Sequence, residues 1–313
     1  MLATSSLVRR SVLVLPVTDQ AAVADSWRHN ADAIALDLPD RHATPGRSAA
    51  RTLLAEATET AGRGGAEVFV RIDKAVANAD IRAAVTSDQG ISGVVLPNAE
   101  LAAEVEEIDG VLREREREVG IPSRELEIVL VLGTARGIWN VRALVNASPR
   151  IASVAIDEAS LARSMGIAPT PDFDPLSFTR GRVIVETLAA VKLPLGIGHP
   201  LGALPREQVD EEEFIRLAER ARNTGFKGAF CPFPSWVAVC NRAFTPSDEQ
   251  VAYYREVRQA FAKGVARGTA AVPFPGGRMI DVPVDERAKL VIDWWERCQR
   301  RDADKAAAGR RLL

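Results

Sequence analysis

Cysteine and histidine are scarce in this chain. Its 313 residues include three of each, and aromatic residues make up 5% of the total. The cysteines Cys231, Cys240 and Cys298 are odd in number and form no C-x-x-C pair. We therefore expect neither a disulfide framework nor a thiolate zinc site.

An excess of one charge and a long hydrophobic run are also missing. The formal net charge is −2 at pH 7, which predicts no nucleic-acid or membrane-surface partner. The first apolar run, Ser11–Val17, contains Pro16 and is too short for a signal h-region or a membrane span. We expect a cytoplasmic protein with no membrane partner.

The common catalytic motifs are absent as well. The sequence contains no Walker A loop, no H-E-x-x-H, no nucleophile elbow and no G-x-G-x-x-G. No predicted strand ends in a lysine, so a Schiff-base aldolase would have no evident nucleophile. The composition, with 47% hydrophobic and 26% charged residues, is that of an ordinary soluble globular enzyme.

What the chain does contain is one repeated unit: a short apolar run, a turn and an amphipathic helix. Most of the runs are aliphatic without period-2 alternation, which is typical of parallel strands buried on both faces. Eight such strands alternating with helices predict an α/β fold, a (β/α)8 TIM barrel. The runs are Ser11–Val17, Ala33–Leu38, Glu67–Ile72, Gly93–Pro97, Glu127–Gly133, Ala152–Asp157, Leu193–Gly198 and Gly228–Cys231.

The C-terminal part continues beyond the eighth unit. We predict a barrel over residues 1–268, followed by a C-terminal arm and helix over 269–313 that pack on the barrel or on a neighbouring subunit. The final helix, Val284–Gln299, carries Trp294 and Trp295. Adjacent tryptophans need another surface to pack against. The pattern does not decide between the barrel of the same chain and a neighbouring subunit.

Charged residues stand where the second and third strands end, and chemistry in this fold lies at the C-terminal strand ends. The planar guanidinium of Arg71 suits a carboxylate or a phosphate. Structural pairing with Asp37, Asp40 or Asp73 is the alternative. Asp37 and Asp40 are themselves candidates for metal ligands, partners of arginine or helix caps.

Two later strand ends carry titratable residues. Asp157 and Glu158 are adjacent, so at most one of them faces the mouth of the barrel. His199 follows the seventh strand directly, where it is either a general acid or base or a surface turn residue.

A set of motifs runs in order from Arg9 to about Leu290. They are RRSVLVLP (Arg9–Pro16), ADAIALDLPD (Ala31–Asp40), VFVRID (Val68–Asp73), GVVLPN (Gly93–Asn98), GTARGIWN (Gly133–Asn140), GFKGAFCPFPSWVAVCNRAFTPSDEQV (Gly225–Val251) and GGRMIDVPVDERAKLVI (Gly276–Ile292). Together they resemble the HpcH/HpaI aldolase and citrate lyase beta-subunit family. The resemblance implies a phosphoenolpyruvate/pyruvate-type barrel. It also implies a lyase or aldolase that splits a C–C bond beside a carbonyl, commonly in a CoA thioester such as malyl-CoA or citramalyl-CoA.

The resemblance further implies a magnesium site, held in the family by one glutamate and one aspartate. Those two positions are Gly133 and Ser160 in this sequence. Glycine offers no side chain, and a serine hydroxyl is a weak neutral ligand for a hard cation. We expect no metal and no other cofactor; if Mg²⁺ does bind, Asp157 and Glu158 are the candidate substitutes.

Three further positions depart from the family pattern. Pro39, Asn98 and Phe233 stand where the resemblance implies glutamate, lysine and histidine. The scaffold motifs are kept while the chemical positions differ, which indicates a barrel that has been put to another use.

We predict that the protein binds a small carboxylate or CoA-thioester ligand but has lost the usual magnesium-dependent catalysis, as a pseudoenzyme would. The candidate substrate-binding residues are Arg71, Asp37 and Arg136. Arg47 and Arg51 lie one helical turn apart and are candidates for the phosphates of CoA.

Two alternatives remain open at this stage. One is an active lyase on a malyl-CoA-like or citramalyl-CoA-like substrate, with a metal site rebuilt from Asp37, Asp157 or Glu158. The other is a structural partner of an active homologue. The family resemblance favours a homo-oligomer, with a trimer as the favoured state.

Overall fold

The computed structural model describes residues 7–39, 44–86, 90–122, 125–167, 174–197, 211–269, 271–276 and 278–312. Eight parallel strands form one sheet in the order β7-β6-β5-β4-β3-β2-β1-β8, and an isolated bridge joins Leu195 to Gly228. This nearly closed sheet confirms the predicted (β/α)8 barrel. The strands are β1 (Ser11–Pro16), β2 (Ala33–Asp37), β3 (Glu67–Arg71), β4 (Gly93–Pro97), β5 (Glu127–Leu132), β6 (Ile151–Ile156), β7 (Leu193–Leu195) and β8 (Ala229–Cys231).

Helices alternate with these strands. Short 3₁₀ helices occur at Ser26–His29 and Lys74–Val76. The α-helices are α1 (Gln20–Asp25), α2 (Thr44–Arg51), α3 (Leu54–Gly62), α4 (Ala77–Ala84), α5 (Ala102–Val119), α6 (Ala135–Trp139), α7 (Val141–Asn146), α8 (Glu158–Met165), α9 (Ser177–Ala189), α10 (Glu211–Thr224), α11 (Ser235–Ala243), α12 (Asp248–Val265) and α13 (Val282–Arg310).

The strands are buried on both faces, as their aliphatic sequences predict. In β2, the residues Ala33, Ile34, Ala35 and Leu36 are each at most 1% exposed. Because side chains alternate along a strand, one set fills the barrel and the other packs under the helices. Burial on both faces explains why period-2 alternation is weak in the sequence.

A buried arginine occupies the N-terminal end of the barrel. Arg9 is fully buried, and it donates hydrogen bonds to Glu67 at 2.7 Å and to Ser153 at 2.8 Å. It also pairs with Glu127. Burial by itself would lower the pKa of Arg9, but its bonds to Glu67 and the charges of both glutamates raise it above the ordinary value. This network stabilises the end opposite the predicted site.

The chain divides into two compact units: the residues up to Phe244 together with those from Lys305 onward, and Thr245–Asp304. The predicted boundary at residue 268 falls inside the second unit. That unit contains α12, most of α13 and a hairpin of β9 (Val272–Phe274) and β10 (Arg278–Ile280).

The second unit has its own small core, formed by Val257, Ile280 and Ala288. Trp295 donates a hydrogen bond to Asp248 at 3.3 Å, so this tryptophan contacts α12 of its own chain. Among the helices that the structure describes, none is long and apolar enough to cross a membrane.

Candidate functional site

The C-terminal ends of the barrel strands surround a cavity of about 270 Å³. Its walls are mostly apolar, with Val14 and Ala35 from the barrel interior and Phe230 and Trp236 near β8. Such a concave, largely apolar cavity with a few polar groups is the usual form of a small-molecule site. Its charged lining residues are Arg71, Asp157 and Glu158.

Arg71 and Asp37 end neighbouring strands in register, which places both side chains at the mouth. The Nη1 of Arg71 lies 3.4 Å from Oδ2 of Asp37, and the two side chains are 38% and 36% exposed. Burial raises the pKa of Asp37, although the charges of Arg71 and Arg47 oppose that rise. A pair this long and this exposed leaves most of the donors of Arg71 available to a ligand.

Asp157 forms the N-cap of α8. Its Oδ1 accepts from the backbone N–H of Ser160 at 3.0 Å, and its Oδ2 accepts from the Ser160 hydroxyl at 2.7 Å. The Ser160 hydroxyl in turn accepts from Nη2 of Arg163 at 2.9 Å. Both carboxylate oxygens of Asp157 are therefore engaged by Ser160.

Glu158 lines the cavity, but its carboxylate is bound by an arginine. The residue is 4% exposed, and Arg180 donates to its two oxygens at 2.7 and 2.5 Å. Arg180 also pairs with Asp174. Burial raises the pKa of Glu158, against the opposing effect of Arg180. This two-bond pair within the fold favours a structural role for Glu158.

Gly133 lies where the ends of three strands converge. A Cβ built on Gly133 would lie 2.6 Å from Oδ1 of Asn98, 2.8 Å from Cβ of Ser160 and 3.5 Å from Cβ of Asp157. Asn98 adopts a left-handed backbone with φ 54°. A larger side chain at 133 would force its neighbours to move. In the described part of the chain, no three His, Cys, Asp or Glu side chains form a group that could hold a metal ion.

Arg47 and Arg51 are paired with one buried carboxylate. Arg47 is 5% exposed and its Nε lies 3.2 Å from Asp80, which it also contacts through Nη2. Nε of Arg51 donates to the same carboxylate at 2.9 Å. These contacts favour a structural role for a pair that the sequence had suggested for phosphates.

Arg136 is exposed at the same end of the barrel. It belongs to the short helix α6 after β5, is 67% exposed and lies 3.9 Å from Glu100. It is not among the residues that line the cavity. Two other predicted site residues, Asp40 and His199, lie outside the residues that the structure describes.

The aromatic wall of the cavity was missed by the sequence analysis. Trp236 stacks on Phe214 with ring centroids 4.0 Å apart, and Phe233 meets it edge-on at 5.0 Å. The signal was the position of Trp236 at the start of α11, the helix that follows the eighth strand. Arg163 was also missed, because it lies inside α8, one helical turn beyond Ser160, and the candidate residues were sought at the strand ends.

These features define a TIM-barrel protein with an arginine-bearing cavity at the mouth of the barrel. The family model described as HpcH/HpaI aldolase/citrate lyase matches residues 10–234. The chain belongs to this family.

Curated relatives resemble the chain over most of its length. The citrate lyase subunit beta of Leuconostoc mesenteroides subsp. cremoris is 27% identical over 288 residues, covering 91% of this chain and 92% of the relative. The L-malyl-CoA/beta-methylmalyl-CoA lyase of Rhodobacter capsulatus is 27% identical, with 84% and 86% covered. A citrate lyase subunit beta-like protein of Deinococcus radiodurans is 29% identical, with 90% and 96% covered.

Solved structures share the fold. CitE of Mycobacterium tuberculosis, in complex with magnesium, acetoacetate and coenzyme A, has a TM-score of 0.71 and 23% identity, covering 93% of this chain and 99% of that one. A citrate lyase of Burkholderia xenovorans LB400 has a TM-score of 0.75 and 17% identity, with 97% of each chain covered. At these identities the likeness establishes the barrel and no more.

Proposed function

We propose that this protein binds a small carboxylate or an acyl-CoA thioester at the barrel mouth without a magnesium ion, and that magnesium-dependent C–C cleavage has been lost. The observation that carries the proposal is the surroundings of Gly133, where Asn98 and Ser160 fill the space beyond the missing side chain. The relatives named as citrate lyase subunit beta and malyl-CoA lyase support this class of ligand.

The side chains at the mouth do not fit a magnesium ion held by two carboxylates. Mg²⁺ requires near-octahedral oxygen ligands at about 2.0–2.1 Å and is usually held through one or two carboxylates. Gly133 supplies no ligand, and the carboxylate of Asp157 is occupied by Ser160. Glu158 is held by Arg180. A cation at Asp157 or Glu158 would have to compete with these contacts for its ligands.

Arg71 is the anchor for an anion in this proposal. It lines the cavity, and its partner within the described part of the chain is the carboxylate of Asp37, 3.4 Å away. A planar guanidinium donates two parallel hydrogen bonds to a carboxylate. The apolar walls around Phe230 and Trp236 then suit the remainder of a short acyl chain.

The alternative function is an active lyase with a rebuilt metal site. One observation favours it: Asp157 lines the cavity and forms no ion pair with any residue in the described ranges. If Ser160 released it, Asp157 would offer an oxygen ligand to a cation in the cavity. The two candidates differ in whether a cation binds the unmodified protein.

The decisive experiment is calorimetry of the purified protein. We expect no heat of binding and no thermal shift with millimolar Mg²⁺ or Mn²⁺, and no cleavage of malyl-CoA or citramalyl-CoA. Oxaloacetate or acetyl-CoA should bind in the presence of EDTA. Tight Mg²⁺ binding, or Mn²⁺ located at the mouth by anomalous scattering, would move the active lyase to first place.

A matched pair of variants tests the anchor. Arg71→Ala should reduce carboxylate affinity by about tenfold or more, as expected for the loss of a charge-assisted hydrogen-bonded pair. The control is Arg63→Ala, which removes an exposed arginine located just before the N-terminal end of β3. Equal effects of the two changes would count against a specific site at the mouth.

The proposal also includes the assembly and the location of the protein. We propose a homo-oligomer, with a trimer favoured, in the cytoplasm. Light scattering at micromolar concentration tests the first point, and a monomeric mass would refute it. Fractionation of the native host with a tagged chain tests the second.

A further inference from the structure

An arginine near the mouth has no carboxylate partner among the described residues. Arg163 lies on α8, is exposed, and donates from Nη2 to the Ser160 hydroxyl at 2.9 Å. No ion pair joins it to any residue of the described ranges. A guanidinium carries five N–H donors in a fixed plane, so most of its donors are still available.

This arginine is linked to the cavity by a hydrogen-bonded relay. The Ser160 hydroxyl accepts from Arg163 and donates its own proton to Oδ2 of Asp157 at 2.7 Å. Asp157 is part of the cavity wall. The relay therefore has one direction of donation, from the guanidinium through the hydroxyl to the carboxylate, and it restrains the position of the positive charge.

The relay lies next to the strand ends that form the mouth. The Cβ atoms of Ser160 and Asp157 are 2.8 and 3.5 Å from the point where a Cβ on Gly133 would lie. The negative charge of Asp157 and the positive charge of Arg163 balance each other locally. Arg163 is not itself among the residues that line the cavity, but its guanidinium, with free donors, lies beside the wall that Asp157 forms.

We infer that Arg163 is a second anion-binding residue of this site, and that the ligand is a short dicarboxylate held by Arg71 at one end and Arg163 at the other. This inference rests on the proposed function, because it assumes ligand binding at the mouth without metal. Two guanidinium groups prefer two carboxylates to one, since each planar fork pairs with a separate carboxylate.

Succinate and butyrate provide a matched pair of probes with the same number of carbon atoms. In calorimetry with EDTA, the unmodified protein should bind succinate at least about tenfold more tightly than butyrate, the usual scale for one charge-assisted pair. Arg163→Ala should remove this preference and leave butyrate affinity nearly unchanged. Arg71→Ala should weaken both probes.

Two further variants separate binding from a merely structural role. Arg163→Lys keeps the charge without the planar fork and should retain part of the preference for succinate. Ser160→Ala releases the guanidinium and should weaken succinate more than butyrate. Arg63→Ala is the control for removing an exposed arginine, and thermal unfolding verifies that each variant is folded.

The outcomes distinguish the two proposals. If the unmodified protein binds oxaloacetate or acetyl-CoA but shows no preference for succinate, or if Arg163→Ala keeps that preference, the inference about Arg163 is wrong and the proposed function stands. If the unmodified protein binds neither oxaloacetate, acetyl-CoA nor succinate in EDTA, the inference about Arg163 and the proposed function are both wrong.

Discussion

At the scale of single residues, the mouth is defined by which carboxylates are already engaged. Glu158 is bound by Arg180, and Asp157 by Ser160. Asp37 differs, because its contact with Arg71 is 3.4 Å long and partly exposed. This weak contact makes Asp37 a competitor for the same guanidinium that an anionic ligand would use.

Carboxylate binding should therefore strengthen as the pH falls below neutral. Burial raises the pKa of Asp37 above its ordinary value, against the charges of Arg71 and Arg47, so lowering the pH protonates Asp37 more readily than an ordinary aspartate. Protonation removes the competing negative charge from Arg71. Calorimetry with oxaloacetate, whose two carboxylates stay largely ionised in this range, between pH 7.5 and 5 should show rising affinity. Asp37→Asn should bind more tightly at pH 7.5 and lose this dependence; an unchanged pH profile would contradict the argument.

A magnesium site should be recoverable only if the space around Gly133 is opened. The change Gly133→Glu with Ser160→Asp introduces two carboxylates, but the new Cβ would lie 2.6 Å from Oδ1 of Asn98. Adding Asn98→Gly removes that contact, and glycine suits the φ of 54° at this position. The Cβ of residue 160, at 2.8 Å, remains and has to shift by a few tenths of an ångström. The triple variant should show a thermal shift with millimolar Mg²⁺. Replacing the new aspartate at position 160 by alanine in the same background should abolish this thermal shift. An equal thermal shift in both variants would refute the assignment of position 160 as a magnesium ligand.

At the scale of elements, the barrel closes through a single glycine. A Cβ on Gly228 would lie 1.8 Å from the carbonyl oxygen of Arg9, and Gly228 also bridges to Leu195. The absence of a side chain thus allows the segment before β8 to approach the segment before β1. Backbone atoms cannot move aside as a flexible side chain can.

Substitution of Gly228 should weaken the contact that closes the barrel and destabilise the fold. Gly228→Ala should lower the free energy of unfolding by on the order of 2–4 kcal/mol, the range of severe overpacking. The control is Gly110→Ala in α5, where an added Cβ meets no atom within 4 Å, and this change should stabilise by about 0.5–1 kcal/mol. Urea unfolding followed by circular dichroism compares them, and similar midpoints would count against the closure argument.

At the scale of the whole molecule, the C-terminal residues join the barrel unit through a buried charge. Nζ of Lys305 lies 2.6 Å from Oδ1 of Asp32 and donates to the carbonyl of Asn30 at 2.8 Å. Asp32 is fully buried and also accepts from Nε of Arg10 at 2.8 Å. The two sides of this contact are 273 residues apart in sequence.

Removing the lysine should weaken the fold. Burial alone would raise the pKa of Asp32, but Arg10 and Lys305 lower it below the ordinary value. The contacts of Asp32 with these two cations therefore stabilise the folded state at pH values above the unfolded aspartate pKa of about 3.9. This stabilisation is lost as the pH falls through the pKa of Asp32 in the folded state. Lys305→Met should cost about 1–3 kcal/mol at pH 7, the penalty for a buried charge deprived of one partner. Thermal unfolding at pH 7 and 3 tests this, with Lys263→Met as an exposed control; equal melting points of Lys305→Met and the unmodified protein at pH 7 would contradict it.

The sequence by itself determined the barrel. Eight aliphatic runs spaced by amphipathic segments are local patterns, and they allow few packings other than a closed parallel sheet. The same periodicity placed Arg71 at a strand end, where the structure brings it to the mouth cavity. Both inferences depend only on the period of the residues along the chain.

Only the tertiary structure decided which charges remain available. Arg47 and Asp80 are 33 residues apart, and Arg180 and Glu158 are 22 residues apart. Each pair meets because separate βα units pack side by side, and no local pattern encodes the choice of partner. The approach of Asn98 to Gly133 has the same origin, since it depends on how β4 and β5 align. A charge at a strand end therefore indicates where a site lies, while packing between units determines whether that charge can reach a ligand.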